Sequence, residues 1–204
     1  MLNKVDTYKT IFKTYEGFYK EKGSKFFSYA IPCKNENEAK QYLEKLRKEN
    51  PNACHVCFAW RLGANALKYK ERFSDDGEPS NSAGKPIFGQ IVNFDVTNIL
   101  VVVVRYYGGT NLGVGGLINA YKTAAKDTLK KADIKTLIVC DFYKIEFDQS
   151  VTSKAYEMIR KFKLDIINTS YNYIEFKVKQ SQSDNTVKEF ERLPWFKITY
   201  LKTE

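Results

Sequence analysis

Apolar positions recur every second residue at Tyr143, Ile145 and Phe147, at Ile174, Phe176 and Val178, and at Phe196, Ile198 and Tyr200. Charged neighbours such as Glu175, Lys177 and Lys179 point the other way, which predicts strands with one buried face. Between them the spacing becomes helical. Val151, Ala155, Met158 and Phe162 form one stripe with Ser150 as its expected cap, and Val187 and Phe190 form a shorter one capped by Asp184. With a further strand over 164–169, the order β-α-β-β-α-β predicts a ferredoxin-like sandwich. The first part of the chain predicts strands over 11–19 and 25–32. A helix from Asn35 or Asn37 follows, with Ala39, Leu43 and Leu46 inward, ending before Pro51. Strands over 53–62 and 66–73, a polar loop and a short helix over 87–92 come next. The run "VVVV" at 101–104 is apolar on both sides, so it predicts a strand buried on both faces. After it a helix carries Leu117, Tyr121, Ala124 and Thr128 on one face, and Ala120, Ala124 and Ala125 allow close approach to a sheet.

Composition divides the same chain in two. All eleven glycines lie before residue 117. Of the net charge of +9, most sits in residues 1–139, which hold 22 Lys+Arg against 14 Asp+Glu. The boundary falls between Lys135 and Tyr143, giving domains 1–137 and 138–204 in a mixed α+β, α/β chain. A chain of 204 residues with 43% hydrophobic positions can bury a sizeable core. The start "MLNKVDTYKT" has no apolar run, and no stretch reaches membrane-span length, so a soluble cytoplasmic protein without a membrane partner is expected. Four cysteines in such a length read as reduced thiols, not a disulfide framework. The basic balance favours a polyanionic partner such as RNA, or an acidic protein surface.

Three stretches carry candidate chemistry. In "VVVVRYYGGTNLGVGG" a buried strand meets five glycines and a helix. Backbone N–H groups there, beside the positive end of the helix dipole, suit an anion. The candidate ligand set is Arg105, Tyr106, Tyr107, Gly108, Gly109, Thr110, Asn111, Gly113, Gly115 and Gly116, with Lys85 as a further cation. The other reading is that the glycines supply positive φ and close packing while Arg105 pairs with an acid. In "FSDDGEPSNSAGKP", Asp75, Asp76 and Glu78 are candidate acid/base groups or ligands for a hard cation, or simply the polar residues of an Asp-Gly turn. In "ACHVCFAWRL", Cys54 and Cys57 face opposite ways on a strand, which argues against a shared metal. His55, Cys57, Ala59 and Arg61 share one face, making His55 a candidate catalytic group and Cys57 its conceivable nucleophile.

Taken in order, "EGFYKEKGSKF", "CHVCFAWRLG", "FSDDGEPSNSAGKPI" and "VVVVRYYGGTNLGVGGLINAY" resemble the IMPACT/YigZ family over the whole chain. The resemblance implies an amino-terminal domain like the second domain of a small-subunit ribosomal protein. It implies a carboxy-terminal ferredoxin-like domain similar to one of elongation factor G. Eukaryotic relatives regulate translation initiation under starvation, so the implied role is a non-enzymatic, translation-related binding protein without cofactor. Its partner would be RNA, the ribosome or a translation-related protein, met at a basic glycine-rich cleft. Asp75, Asp76 and Glu78 would then pair with Arg105 or Lys85. The alternative is an enzyme or nucleotide binder in the same cleft, with a metal on the Asp-Asp-Gly-Glu loop. The sequence assigns no oligomeric state.

Overall fold

The computed structural model describes residues 6–64 and 69–204. By internal contacts the chain forms two units, Tyr8–Leu137 and Ile138–Glu204, the latter joined by Asp6 and Thr7.

The first unit holds β1 (Thr7–Thr10), β2 (Tyr15–Glu21), β3 (Ser24–Pro32), α1 (Glu36–Glu49), β4 (His55–Leu62), β5 (Lys70–Ser74), α2 (Gly84–Asn93), β6 (Ile99–Tyr106), α3 (Gly113–Lys131) and β7 (Lys135–Ile138). Five strands make one antiparallel sheet in the order β2-β3-β6-β4-β5. β6 is its middle strand, and helices cover it on both sides. Val101 and Val103 pack with Ile87 of α2 and Leu117, Tyr121 and Ala124 of α3. Leu100, Val102 and Val104 pack with Ala39, Leu43 and Leu46 of α1. This double cover, in an antiparallel sheet, is why the valine run has no polar face.

α3 sits close because small residues meet: Ser28 Oγ donates to Ala124 O at 2.8 Å, and a Cβ on Gly17 would collide with the Thr128 hydroxyl. The strand expected over 11–19 is instead broken. Phe12 is 67% exposed and residues 12–14 all face solvent, so β1 pairs with β7 while β2 joins the main sheet. The expected strand over 66–73 lies partly outside the described residues. Its described part is β5.

The second unit holds β8 (Cys140–Glu146), α4 (Thr152–Lys161), β9 (Asp165–Ser170), β10 (Tyr173–Lys179), α5 (Gln180–Glu191) and β11 (Lys197–Thr203). Its sheet is antiparallel in the order β11-β8-β10-β9, the split β-α-β arrangement of a ferredoxin-like module. Ala155, Met158, Ile159 and Phe190 pack both helices on the face of Ile145, Ile174 and Phe176. Both expected caps move. Asp148, not Ser150, accepts the Ser150 N–H and starts a short 3-10 turn before α4. Asp184 lies inside α5, whose first turn is held by the Asp6 carboxylate accepting from Ser181 N at 2.7 Å. A cap supplied 175 residues away leaves no local trace in the sequence.

Candidate functional site

The acidic loop folds on its own turn chemistry. Asp76 and Gly77 both have positive φ (45° and 87°), and Glu78 N donates to Asp75 O at 2.9 Å, closing a tight turn directly after β5. The Asp75 carboxylate then accepts from Asn81 N (2.9 Å), Ala83 N (3.0 Å) and Gly84 N (2.8 Å). It thereby supplies the cap that α2, starting after Ala83, lacks from its own N-cap side chain.

Asp76 ties the same turn to β4 and α1. One oxygen accepts from Val56 N at 2.7 Å, the other from the Arg47 guanidinium at 2.7 Å. His55 Nδ1 lies 2.8 Å from the Asp76 carbonyl, which can only accept, so Nδ1 carries the proton.

Glu78 turns inward, 8% exposed, and meets Arg105, 6% exposed. One guanidinium nitrogen donates to Glu78 Oε1 at 2.6 Å, and the Tyr121 hydroxyl donates to the same oxygen at 2.7 Å. The His55 Nε2 atom is 3.9 Å from it. Strand alternation sets this direction. Val101, Val103 and Arg105 share the face under α3, and Arg105 pairs across the sheet with Phe26 and His55. Its guanidinium also lies over the rings of Phe26 and Tyr107, at 5.7 and 5.6 Å.

Cys57 is fully buried on the same face. Its thiol donates to Asp75 O at 3.0 Å and approaches the Tyr121 hydroxyl at 3.4 Å. Burial pushes the Cys57 thiol up, and burial together with Cys57 and Glu78 pushes the Tyr121 phenol up. Both are neutral donors near pH 7. The conceivable Cys-His nucleophile pair is thus corrected: Cys57 is a buried thiol bonded to a carbonyl, with no thiolate character to attack from.

The sequence-named groups therefore separate. His55, Asp75, Asp76, Glu78 and Arg105 do come together, but as an internal network of bonds. The three carboxylates take protein donors in three different directions, and no group of three His, Cys, Asp or Glu with metal-binding geometry occurs among the described residues. Of the two roles expected for Arg105, an open fork for an anion and the partner of an acid, the structure shows the second: it is buried against Glu78. Lys85 is exposed on the first turn of α2.

The stretch after Arg105 faces outward. Tyr106 is half-buried, and its hydroxyl donates to Asn50 Oδ1 at 2.7 Å. Tyr107, Gly108, Gly109, Thr110, Asn111, Gly113 and Gly115 are exposed, and Gly116 is half-buried. Gly108 donates its N–H to Ser24 Oγ at 3.1 Å. Gly109 and Gly113 have positive φ (83° and 70°). α3 begins after Leu112 without a side-chain cap, and in its first turn, Gly113 to Gly116, Val114 carries the one side chain.

Tyr121, Arg47, Asn50 and Ser24 complete the network and were not singled out as site residues from the sequence. Tyr121 alone left a signal. A tyrosine on a stripe buried against a sheet must find a partner for its hydroxyl.

The thiols report this arrangement. Cys54 is exposed, whereas Cys33 is buried with its thiol pushed up to about 11 by burial. A disulfide reagent at pH 8 is expected to modify Cys54 of the folded protein first. Cys33 and Cys57 should react only on unfolding; rapid modification of Cys57 in the folded chain would contradict the buried placement.

The Impact N-terminal domain model matches residues 22–129, a span that contains the acidic loop, His55, Arg105 and Tyr121. The chain is 34% identical over 150 residues to the IMPACT family member YigZ of Escherichia coli (strain K12), covering 74% of each protein. It is 31% identical over 150 residues to an IMPACT family member of Haemophilus influenzae, covering 74% of this chain and 73% of that one. Among solved structures, the crystal structure of a hypothetical protein superposes with a TM-score of 0.69 at 26% identity, over 97% of this chain and 98% of the other.

Proposed function

The chain belongs to the IMPACT family, and on that premise we propose that it is a translation-related regulatory protein that works by binding RNA or the ribosome, not by catalysis. One observation carries this reading. The charged residues of the signature are taken up by hydrogen bonds within the protein, Glu78 by Arg105 and Tyr121, Asp76 by Val56 N and Arg47 and Asp75 by main-chain amides, while the chain just beyond them lies exposed on the surface. Arg105, Glu78, Asp75, Asp76 and His55 act as a brace that ties the end of β6 to the start of α2 and to Tyr121 of α3. Tyr107 to Gly116, with Tyr106 and Lys85, form the contact rim. Exposed amides at the start of a long helix favour phosphate oxygens, and the basic balance of the chain favours a polyanion.

On this reading residues 1–137 are the contact domain, of the ribosomal-protein type that the resemblance implies. Residues 138–204 are a second packing or binding module of the elongation factor G type, and the protein meets its partner in the cytoplasm. No helix among the described residues is long and apolar enough to cross a membrane.

The test is co-sedimentation of the full chain with purified ribosomes at several salt concentrations. Log affinity should fall linearly with log salt at a slope of about −0.7 for each phosphate contacted. Three contacts would give a loss of about twentyfold between 50 and 200 mM. Association that ignores salt would point to a protein partner. No association at 50 mM would overturn the reading.

A further inference from the structure

One face of the five-stranded sheet is only partly roofed. α1 covers β4 and β6 on that face and ends at Asn50, which takes the Tyr106 hydroxyl. Beyond it, β2, β3 and the end of β6 present Phe18, Phe27, Tyr29 and Tyr106 on the same side, fixed by the register Phe18↔Phe27, Phe27↔Val104 and Lys25↔Tyr106. The rings touch: Phe18 and Phe27 are 5.1 Å apart between centroids, and Phe27 meets Tyr106 edge-on at 5.7 Å. A groove of about 430 Å³ runs between Phe27, Tyr29, Tyr106 and Tyr107, with Lys25 and Asn50 at its edges. Phe18 is 47% exposed and Tyr107 48%. Rings left this open beside one another mark a contact surface.

The charge around the rings is uneven. Lys20 lies opposite Lys25, and Lys25 opposite Tyr106, so a row of cations crosses the sheet one step, about 7 Å, from the row of rings. Lys22 stands at the hairpin tip between β2 and β3. All three lysines are exposed and have no ion-pair partner among the described residues. At the other end of the groove Glu16 lies opposite Tyr29, and Glu49 closes α1. An anionic strand is therefore drawn to one end and repelled from the other. Open π faces next to unpaired cations match bases next to phosphates, as when sheet-borne aromatics stack single-stranded RNA.

We infer that this groove binds single-stranded RNA, with Phe18, Phe27, Tyr106 and Tyr107 stacking bases and Lys20, Lys22 and Lys25 holding phosphates. The inference rests on the reading of the chain as an RNA-contacting protein and assigns where the strand lies.

The test is fluorescence anisotropy of the full chain with a labelled 12-nucleotide oligoadenylate. The paired change Phe18→Ala with Tyr107→Ala is expected to weaken binding about tenfold or more. Phe18→Leu with Tyr107→Leu, which keeps apolar bulk but removes the ring faces, should weaken it comparably. Lys20→Ala with Lys25→Ala should lower the salt slope by about 1.4. Lys126→Ala, on α3 across the sheet, should leave affinity within about twofold. Wild-type affinity in both ring variants, or equal binding of a duplex of the same length, would overturn the inference.

Ribosome co-sedimentation separates this failure from that of the function proposed above. A wild-type chain that sediments with ribosomes in a salt-dependent way but ignores oligoadenylate sinks the groove and leaves the broader reading standing. Ring variants that lose ribosomes while the wild type ignores oligoadenylate would mark a protein partner on the groove and also sink it. Failure to bind either probe sinks both.

Discussion

Replacing Glu78 with alanine is expected to lower the stability of the amino-terminal unit by about 3–5 kcal/mol, the usual result of stripping a buried charge of its partner. Glu78 and Arg105 are both almost wholly inaccessible, and their contact is 2.6 Å. Arg105 already carries one buried nitrogen, Nε, without a hydrogen-bond partner among the described residues. Without Glu78 the whole guanidinium would lack a counter-charge, and the Tyr121 hydroxyl would lose its acceptor. In a domain whose total stability is about 5–15 kcal/mol, that is a large share. The measurement is the urea midpoint. A loss below about 1 kcal/mol would mean that water reaches the pair and that it braces nothing. The companion Glu78→Leu with Arg105→Met should regain most of the loss, because a buried pair replaced by apolar residues of similar volume is often neutral.

Gly108→Ala is the second large effect, for steric reasons. β2 and β3 are joined by Lys22 and Gly23, both at positive φ (42° and 84°), the two-residue turn that matches strand twist. That turn rests on Gly108. A Cβ there would overlap the Gly23 carbonyl carbon and the Ser24 amide, which are backbone atoms. They cannot rotate aside as a side chain would, so the hairpin tip must move, at a cost of about 1–3 kcal/mol or more. Tyr107 and the lysines of the tip would move with it. Gly115→Ala is the contrast within the same glycine run. A Cβ added there would have nothing within 4 Å, and the residue sits in the first turn of α3, so alanine should stabilise by about 0.5–1 kcal/mol. Equal destabilisation by both substitutions would contradict this division of the glycines.

Those two glycines show what sequence can and cannot reveal. "YYGGTNLGVGG" announces that side chains are withheld, but not that Gly108 yields to a hairpin 84 residues earlier while Gly115 yields to nothing. Patterns with a local cause were legible. The valine run, the α1 stripe of Ala39, Leu43 and Leu46, and the opposed faces of Val56 and Cys57 all follow from the period of the chain. Partners far along the chain were not. Asp6 at the start of α5, Asn50 on Tyr106 and Arg47 on Asp76 are isolated polar contacts between segments that no periodicity links. The direction of Arg105 falls between the two. Alternation places it with Val101 and Val103, but four valines in a row hide which face lies deeper.

If the charged signature is a brace, the partner contact lies outside it. Binding by the Glu78→Leu, Arg105→Met chain tests that most directly, measured with ribosomes at low salt and at a temperature where the chain is folded. Affinity and salt slope matching the wild type are the predicted result. A folded double variant that binds tenfold less tightly would place Arg105 or Glu78 on the ligand and contradict the brace.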